Sequence, residues 1–560
     1  MKRNKTKLIL KEYFPEIREF RDVQEICIGK LRDKKNTLCL MPTGSGKSLI
    51  YQVAGLESSK ATLVISPLIA LMQQQSSRLN EKGIATAFLH GGYGGQELFS
   101  ILKGLFKSEK PKFIFVSPER VSFDGYFEHI VRRNREQFGL IVIDEAHCVS
   151  QWGHSFRPLY KMIPNFLNDV FGSNSWPPIL CLTATLNPKD QEEICQDFNI
   201  PPKNVFKSKV LIRNNLKLAC EVFPDERAKR GRLEELLVKY RNDKVIVYTH
   251  RKKSKQYGTR AFSEEFEGKG FLCDYFDADA EDYHKREVLE KFEEGTIKII
   301  FATNAFGMGI DIPDIRVIIH YLIPESIEQY YQEVGRAGRD GKDSFGYLLY
   351  SPTNIRVRKD LIQASVPKEK DLVEAFQRKF RLEENKKVAP LNPWLDITED
   401  LYELTAFYYF QKHGIIKIVG KGIGKIDCFK CVDAKLETDF NKYCNSSRIG
   451  SIVAISNKTG EPIQKIIENL FSWYTADRIK LNSAPIKMIF FRSKNEIGIK
   501  AINQICKELE ERKNVRSENF SKLVQMIESG VKPEIGICEH LGIKNIEHWG
   551  HPIIPLSREK

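Results

Sequence analysis

Short, uninterrupted apolar runs alternate with longer stretches of helical periodicity over the first 355 residues. The runs are TLCLM (37–41), ATLVIS (61–66), FIFVS (113–117), LIVID (140–144) and ILCLT (179–183). After Asn215 the alternation restarts with KVIVYT (244–249), IKIIFAT (297–303), VIIHYL (317–322) and GYLLY (346–350). A strand that is apolar at every position is buried on both faces, and helices between such strands cover a parallel sheet from either side. Two series, one on each side of about residue 210, predict two stacked α/β domains, 1–207 and 208–355.

The texture then changes. Residues 356–395 include the charged, helical VPKEKDLVEAFQRKFRLEENKKV (366–388) and are expected to form a connector. In 396–500, ITEDLYELTAFYYFQKHGIIKIV (397–419) predicts a helix followed by a strand, with GKGIGK as a turn. EPIQKIIENLFSWYTADRIKLNSAPIKMIFFRS (461–493) has a similar outline. Helix, basic turn and hairpin fit a winged helix, in one or two copies, and equally a generic α+β accessory domain. Residues 501–560 are expected to be helical.

Composition narrows the class without naming a function. The chain has 560 residues, enough for three or four domains with their own cores, and its 42% hydrophobic content excludes wholesale disorder. No apolar run reaches the roughly 18 residues of a membrane span. The basic N-terminus carries too short an apolar stretch, Leu8–Leu10, for a secretory signal. A cytoplasmic or nucleoid-associated protein with no membrane partner is the expectation. Net charge is +14, of which residues 361–560, with 32 basic and 26 acidic side chains, account for +6. The excess is spread along the chain, consistent with a polyanionic partner or simply with a solubilising surface. Twelve cysteines are too sparse for a disulfide scaffold, and Cys39 and Cys181 lie inside apolar strands, as buried hydrophobes do.

Three segments carry chemistry. The strand TLCLM runs through Met41, Pro42, Thr43, Gly44, Ser45, Gly46, Lys47 and Ser48 into the helical LIYQVAG. Strand, glycine loop and helix ending in Gly-Lys-Ser form a phosphate cradle. Backbone N–H groups and the helix N-terminus face the phosphate oxygens, Lys47 adds a charge and the Ser48 hydroxyl reaches Mg²⁺. Met41 stands where the strict motif has glycine. About a hundred residues on, LIVIDEAH places Asp144 and Glu145 at the carboxyl end of a buried strand. Asp144 can hold Mg²⁺ while Glu145 orients and deprotonates the attacking water. In QEVGRAGRDG (332–341), Arg336 and Arg339 lie three apart, on one face if helical, and suit the charge that accumulates on a transferring phosphoryl group.

The order MPTGSGKS, SPLIALMQQQ, DEAH, TAT (183–185), ATNAFGMGIDIP (302–313) and QEVGRAGRDG resembles a superfamily 2 helicase. FRDVQ (Phe20–Gln24) and AHCVSQWGHSFRPLY (Ala146–Tyr160) narrow the likeness to the RecQ family, over about residues 15–355. The resemblance implies two tandem RecA-like parallel-sheet domains followed by an α+β accessory region. It also implies an ATP- and Mg²⁺-dependent translocase on single-stranded and forked DNA, moving 3′ to 5′ and separating duplexes. Gln24 would then recognise adenine, an amide being matched to its N6/N7 edge. Trp152, His154, Phe156 and Arg157 would stack on unpaired bases, each worth about 1–3 kcal/mol, unless the aromatic pair simply fills core beneath a loop. Thr183, Thr185 and Gln332 would couple phosphate state to domain closure. No protein partner is implied.

The chain also departs from the family. Ser155 replaces an aspartate in the aromatic loop, and YFDADAEDYHKR (275–286) brings Asp277 and Asp279 to a place expected to meet phosphates. The family's four zinc-binding cysteines are missing after the second domain. Cys428, Cys431 and Cys444 lack a fourth partner, and alternation along a strand separates the first two. Cys538, His540, His548 and His551 offer a second set for zinc, against histidines that only flank short helices. An RNA-dependent helicase of DEAD-box type and a nucleic-acid-binding assembly factor with a vestigial ATPase remain as alternatives.

Overall fold

The computed structural model describes residues 2–541 except 43, 90–94, 107–111, 150–157, 174, 185, 209–211, 250–256, 278, 305, 308–311, 385, 399, 427–429, 432, 444–449 and 481–487. Its first sheet contains β1 (Thr37–Leu40), β2 (Ala61–Ile65), β3 (Thr86–Leu89), β4 (Phe113–Val116), β5 (Phe138–Ile143), β6 (Ile179–Thr183) and β7 (Val205–Lys207). All are parallel, in the order β3-β4-β2-β5-β6-β1-β7. The second sheet contains β8 (Leu216–Val222), β9 (Lys244–Tyr248), β10 (Cys273–Phe276), β11 (Ile299–Ala302), β12 (Ile315–His320) and β13 (Ser344–Tyr350). These too are parallel, in the order β10-β11-β9-β12-β13-β8.

The nine strands expected from their apolar runs are all present and interior to the sheets. The four that the pattern did not reveal, β3, β7, β8 and β10, are the four edges. Edge strands are only half covered, and side chains along β3, β7 and β8 are accordingly mostly part-exposed, so no continuous apolar run betrays them.

The C-terminal region forms one composite unit instead of two separate helix-and-hairpin copies. Strands β14 (Ala389–Leu391), β15 (Ile416–Gly422) and β16 (Met488–Ser493) make an antiparallel sheet with β16 at its centre. The short strand Ile479–Lys480, which a private hairpin would pair with β16, pairs instead with Lys430–Cys431. Burial explains the choice, because Ile489, Phe490 and Phe491 are all at most 1% exposed and a strand buried on both faces must be central. Ile489 and Phe491 face a core with Phe380, Phe407 and Phe410, whereas Phe490 joins the core of the first parallel-sheet domain. The segment expected as a connector supplies Leu372, Phe376 and Phe380 to that same core.

This unit is fastened to both α/β domains. Phe471 packs on Tyr126 of the first domain at a ring separation of 4.9 Å, and Lys421 reaches Glu128 at 3.0 Å. The approach is so close that a β-carbon on Gly125 would lie 1.9 Å from the Lys421 carbonyl oxygen. The helix Ile499–Glu528 spans about 45 Å at 1.5 Å per residue. Ile502, Ile505 and Leu509 lie in the accessory core, while Phe520, Leu523 and Ile527 lie in the second α/β domain. Midway, Arg512 reaches Glu193 of the first domain at 3.4 Å and Arg516 grips Glu325 of the second at 2.5 and 2.8 Å.

The terminal helix Pro533–His540 completes the strap. Cys538 is buried among Phe520, Leu523 and Ile537, and His540 Nε2 stands 2.7 Å from Glu328 Oε1. These two candidate zinc ligands thus have other partners, and among the described residues no group of three or more metal-binding side chains assembles. His548 and His551 lie outside the described residues, as do Cys428 and Cys444, while Cys431 donates its thiol to the Asp433 carbonyl. Among the described residues no helix is long and apolar enough to cross a membrane.

Glu328 also marks the junction of the α/β domains. Asn187 caps the helix Pro188–Asp197 and donates through Nδ2 to Asp190 at 2.7 Å and to Glu328 at 3.3 Å. Burial, then the charges of Glu328 and Glu193, push the Asp190 carboxyl up to about 7. A carboxyl that holds its proton more tightly when folded gives stability that is lost as pH rises from its unfolded value towards 7. Asp190→Asn should therefore stabilise the protein at pH 8 by about 1 kcal/mol or more, with the difference shrinking as pH falls and vanishing only below about pH 4 in thermal melts. Equal melting temperatures at both pH values would contradict this placement of the charge.

Candidate active site

Four neighbouring strands, β2, β5, β6 and β1, deliver Ser66, Asp144, Thr183 and Met41 side by side at the carboxyl edge of the first sheet. This is where ligands bind in open parallel sheets. Met41 is buried and its N–H donates to the Thr183 carbonyl, so it continues the ladder and leaves the turn to the residues after it. Pro42 accepts from the Ser45 N–H at 3.3 Å and from its hydroxyl at 2.6 Å. Gly44 and Gly46 adopt left-handed φ values of 72° and 89°, and Gly46 directly precedes the helix Lys47–Glu57. A side chain at Gly46 would be strained there and would press on Gln24 at 3.0 Å. Thr43 is outside the described residues.

Gln24 lies beneath this loop. Its Nε2 donates to the Gly46 carbonyl at 3.0 Å, and its Oε1 accepts from the Arg21 N–H at 2.7 Å. Both ends of the amide are thus engaged by the chain, and the residue braces the cradle in addition to any contact with a base.

Glu145 occupies the left-handed region at φ 49°, a conformation that costs a non-glycine residue of the order of 1 kcal/mol or more. The turn sets Asp144 and Glu145 facing one cavity. Ser66 Oγ donates to Asp144 Oδ2 at 3.3 Å, and the Tyr160 hydroxyl donates to the Asp144 carbonyl at 3.0 Å. His147 Nδ1 lies 3.3 Å from Glu145 and 3.2 Å from the Thr183 hydroxyl, which joins the catalytic strand end to its neighbour. Burial and the adjacent Glu145 push Asp144 up to about 6, against the pull of Lys47. Burial works against Glu145 as well, but the charge of Lys47, the His147 hydrogen bond and Arg336 outweigh it and hold that carboxyl at about 2. The pair is therefore differentiated, Asp144 being pushed up and Glu145 pulled down.

The second domain closes the site. Its helix Ile327–Val334 ends before the arginines, so Arg336 and Arg339 stand on a turn and not on a helical face. Gly338, at φ 65°, allows that turn to sit against Ser344 and Asn215, where a β-carbon would be 2.4 and 2.6 Å away. A cavity of about 410 Å³ is lined by Gly44, Gly46, Lys47, Ser48, Asp144 and Glu145 from one domain and by Gln332, Arg336 and Arg339 from the other. A β-carbon on Gly44 would be 3.6 Å from the Arg339 side chain. The same cavity extends past Gln52, Gln75 and Arg78, which periodicity alone did not single out. Gln75 sits in SPLIALMQQQ, the segment that also supplies Ser66, so the signal was present in the motif order.

The remaining expected residues are placed as follows. Thr183 ends β6 and is fully buried. Thr185, Ser155, Trp152, His154, Phe156 and Arg157 lie outside the described residues. Asp277 turns inward: it is 1% exposed and accepts from the Thr259 hydroxyl at 2.7 Å and from two backbone N–H groups at 3.0 Å, whereas Asp279 is exposed. An Asp-turn capping β10 explains the acidic sequence at that point.

Comparisons with known proteins agree with this geometry. Residues 21–194 match the DEAD/DEAH box helicase family and residues 228–341 the helicase conserved C-terminal domain. The chain is 32% identical over 474 residues to the ATP-dependent DNA helicase RecQ of Bacillus subtilis, covering 83% of this chain and 74% of that one. It belongs to the RecQ family. Over 62% of its length it is 37% identical to the RecQ-like DNA helicase BLM of Xenopus laevis, of which it spans only 25%. The helicase MrfA bound to DNA and AMPPNP shares the fold, with a TM-score of 0.52 at 20% identity over 64% of this chain and 53% of that one. This RecQ-family chain is accordingly an ATP-hydrolysing helicase built on two RecA-like domains.

Lys47→Ala and Glu145→Gln should each lower DNA-stimulated ATP hydrolysis by at least about 100-fold while leaving the melting temperature within a few degrees. Phosphate release and thermal melts measure both. Turnover within threefold of the parent would remove the residue from the catalytic set.

Proposed function

We propose that this RecQ-family chain couples Mg-ATP hydrolysis to 3′-to-5′ movement on single-stranded DNA and to separation of forked duplexes. The observation that supports it best is the composition of one cavity. Lys47, Asp144 and Glu145 come from the first domain and Arg336 and Arg339 from the second. Mg-ATP, when bound, supplies the phosphoanhydride whose cleavage drives the cycle. Lys47 and the loop N–H groups hold its phosphates, while the Ser48 hydroxyl and Asp144 suit a hard cation that keeps oxygen ligands. Glu145, held ionised, orients and deprotonates the attacking water. Arg336 and Arg339 bring positive charge to the transferring group only when the domains are together, which ties hydrolysis to closure.

The same reading assigns Trp152, His154, Phe156 and Arg157 to stacking and backbone contacts with unpaired DNA. Their loop follows DEAH directly, and His147 already connects Glu145 to Thr183. Occupancy of the loop can therefore shift the carboxylate, with Thr183, Thr185 and Gln332 carrying the change across the domain gap. A vestigial ATPase is disfavoured, because the charged groups that hydrolysis needs converge on one cavity.

ATPase and strand-displacement assays on 3′-tailed, 5′-tailed, forked and blunt duplexes, across a salt series, test the reading. Displacement should require a 3′ tail or fork and ATP, and Trp152→Ala should lose DNA stimulation while retaining most basal turnover. Preference for a 5′ tail, or stronger stimulation by single-stranded RNA than by DNA, would overturn the assignment.

A further inference from the structure

The link between β7 and β8 joins the two RecA-like domains, and one of its side chains reaches the nucleotide cavity. Arg213 Nη2 donates to the Gly335 carbonyl at 2.9 Å and to the Ala337 carbonyl at 2.5 Å. These two carbonyls flank Arg336. Two residues along, Asn215 Nδ2 donates to Gly338 at 2.8 Å and to Lys342 at 2.7 Å, and the Asn215 carbonyl accepts from the Ser344 N–H. The interdomain link thus holds the whole finger turn by its backbone. The other side of the guanidinium faces the phosphate loop, where Nη1 would be 3.3 Å from a β-carbon placed on Gly44. Burial and the neighbouring Arg339 charge lower the Arg213 pKa, the cost of holding a third cation so close. A turn with glycines at 335, 338 and 341 has little intrinsic rigidity, so the aim of its two arginines depends on such clamps.

We propose that Arg213 is a positioning residue that fixes the Gly335–Arg339 turn, so that Arg336 and Arg339 move with the interdomain link and meet the phosphate loop in one orientation. Both carbonyls accept from the single Nη2, so what a lysine ammonium lacks is the second nitrogen, Nη1, which faces Gly44. Arg213 acts through the fingers, and its effect belongs in turnover and not in nucleotide affinity. The inference rests on the proposed function for its kinetic arm only.

The test compares the full chain with Arg213→Met and Arg213→Lys. It reads DNA-stimulated ATPase kinetics and, without nucleotide, amide hydrogen exchange of the peptide spanning 334–343. Both Arg213 variants should exchange that peptide at least about fivefold faster while β5 and β12 stay protected. They should lower kcat by about tenfold or more with KM changed less than about threefold. Unchanged exchange or full rescue by lysine would each overturn the proposal. Should Arg213→Met unsettle the fold, seen as exchange in β5 and β12, Arg213→Lys decides. An unmodified protein without DNA-stimulated turnover would count against the proposed function, and the exchange arm would still judge the clamp.

Discussion

Two carboxylates on consecutive residues at the end of a buried strand repel one another and lose hydration together, and most of the molecule is arranged around making Asp144 and Glu145 tolerable there. Lys47 supplies the nearest compensation, from a loop whose path depends on two left-handed glycines. His147 and Ser66 hydrogen-bond the pair, and Arg336 adds charge from the second domain. The asymmetry of these partners separates the two acids, one raised to about 6 and one held at about 2. Such a site is incomplete without the second domain, and that incompleteness is what a motor needs. On the function proposed above, closure would bring the compensating cations and the groups that activate hydrolysis in a single movement.

The accessory region bears on the same movement. Its sheet and the helix Ile463–Thr475 are embedded in the first domain through Phe490 and Phe471 respectively, whereas its longest helix ends in the core of the second. Arg512 and Arg516, four residues apart, hold acidic partners on opposite sides of the gap. The hydrophobic anchors at either end are fixed by packing; of the central ion pairs, the part-exposed Arg512–Glu193 contact is the looser and the nearly buried, two-pronged Arg516–Glu325 contact the firmer. Interdomain geometry is thereby constrained by a second connection besides the short β7–β8 link.

The sequence made the sheet centres and the charged motifs legible because both impose strict local patterns. A strand covered on two faces reads as a continuous run, and a phosphate cradle needs glycine, lysine and hydroxyl in fixed order. Edge strands escaped, since half-covered segments such as TAFL and CDYF mix polar and apolar positions. Other features depend on partners distant in the chain. Nothing in MIFFRS says that it pairs with β14 and β15, and nothing in Cys538 or His540 says that an apolar core and Glu328 await them. Asp277 was misread for the same reason, an acidic residue in a polar segment being a turn cap as readily as a surface charge. Arg213 lay in plain view between the domains, but only tertiary structure brings it to the finger turn.

The central claim is that one domain binds the nucleotide and the other activates it. Arg339→Ala isolates the two, because Arg339 lines the cavity without belonging to the cradle. Measuring nucleotide affinity by titration with a fluorescent ATP analogue, and turnover by phosphate release on single-stranded DNA, tests the division directly. The account predicts affinity within about threefold of the parent and turnover lower by about 100-fold or more. Turnover near the parental value, or losses of affinity and turnover in equal measure, would contradict it.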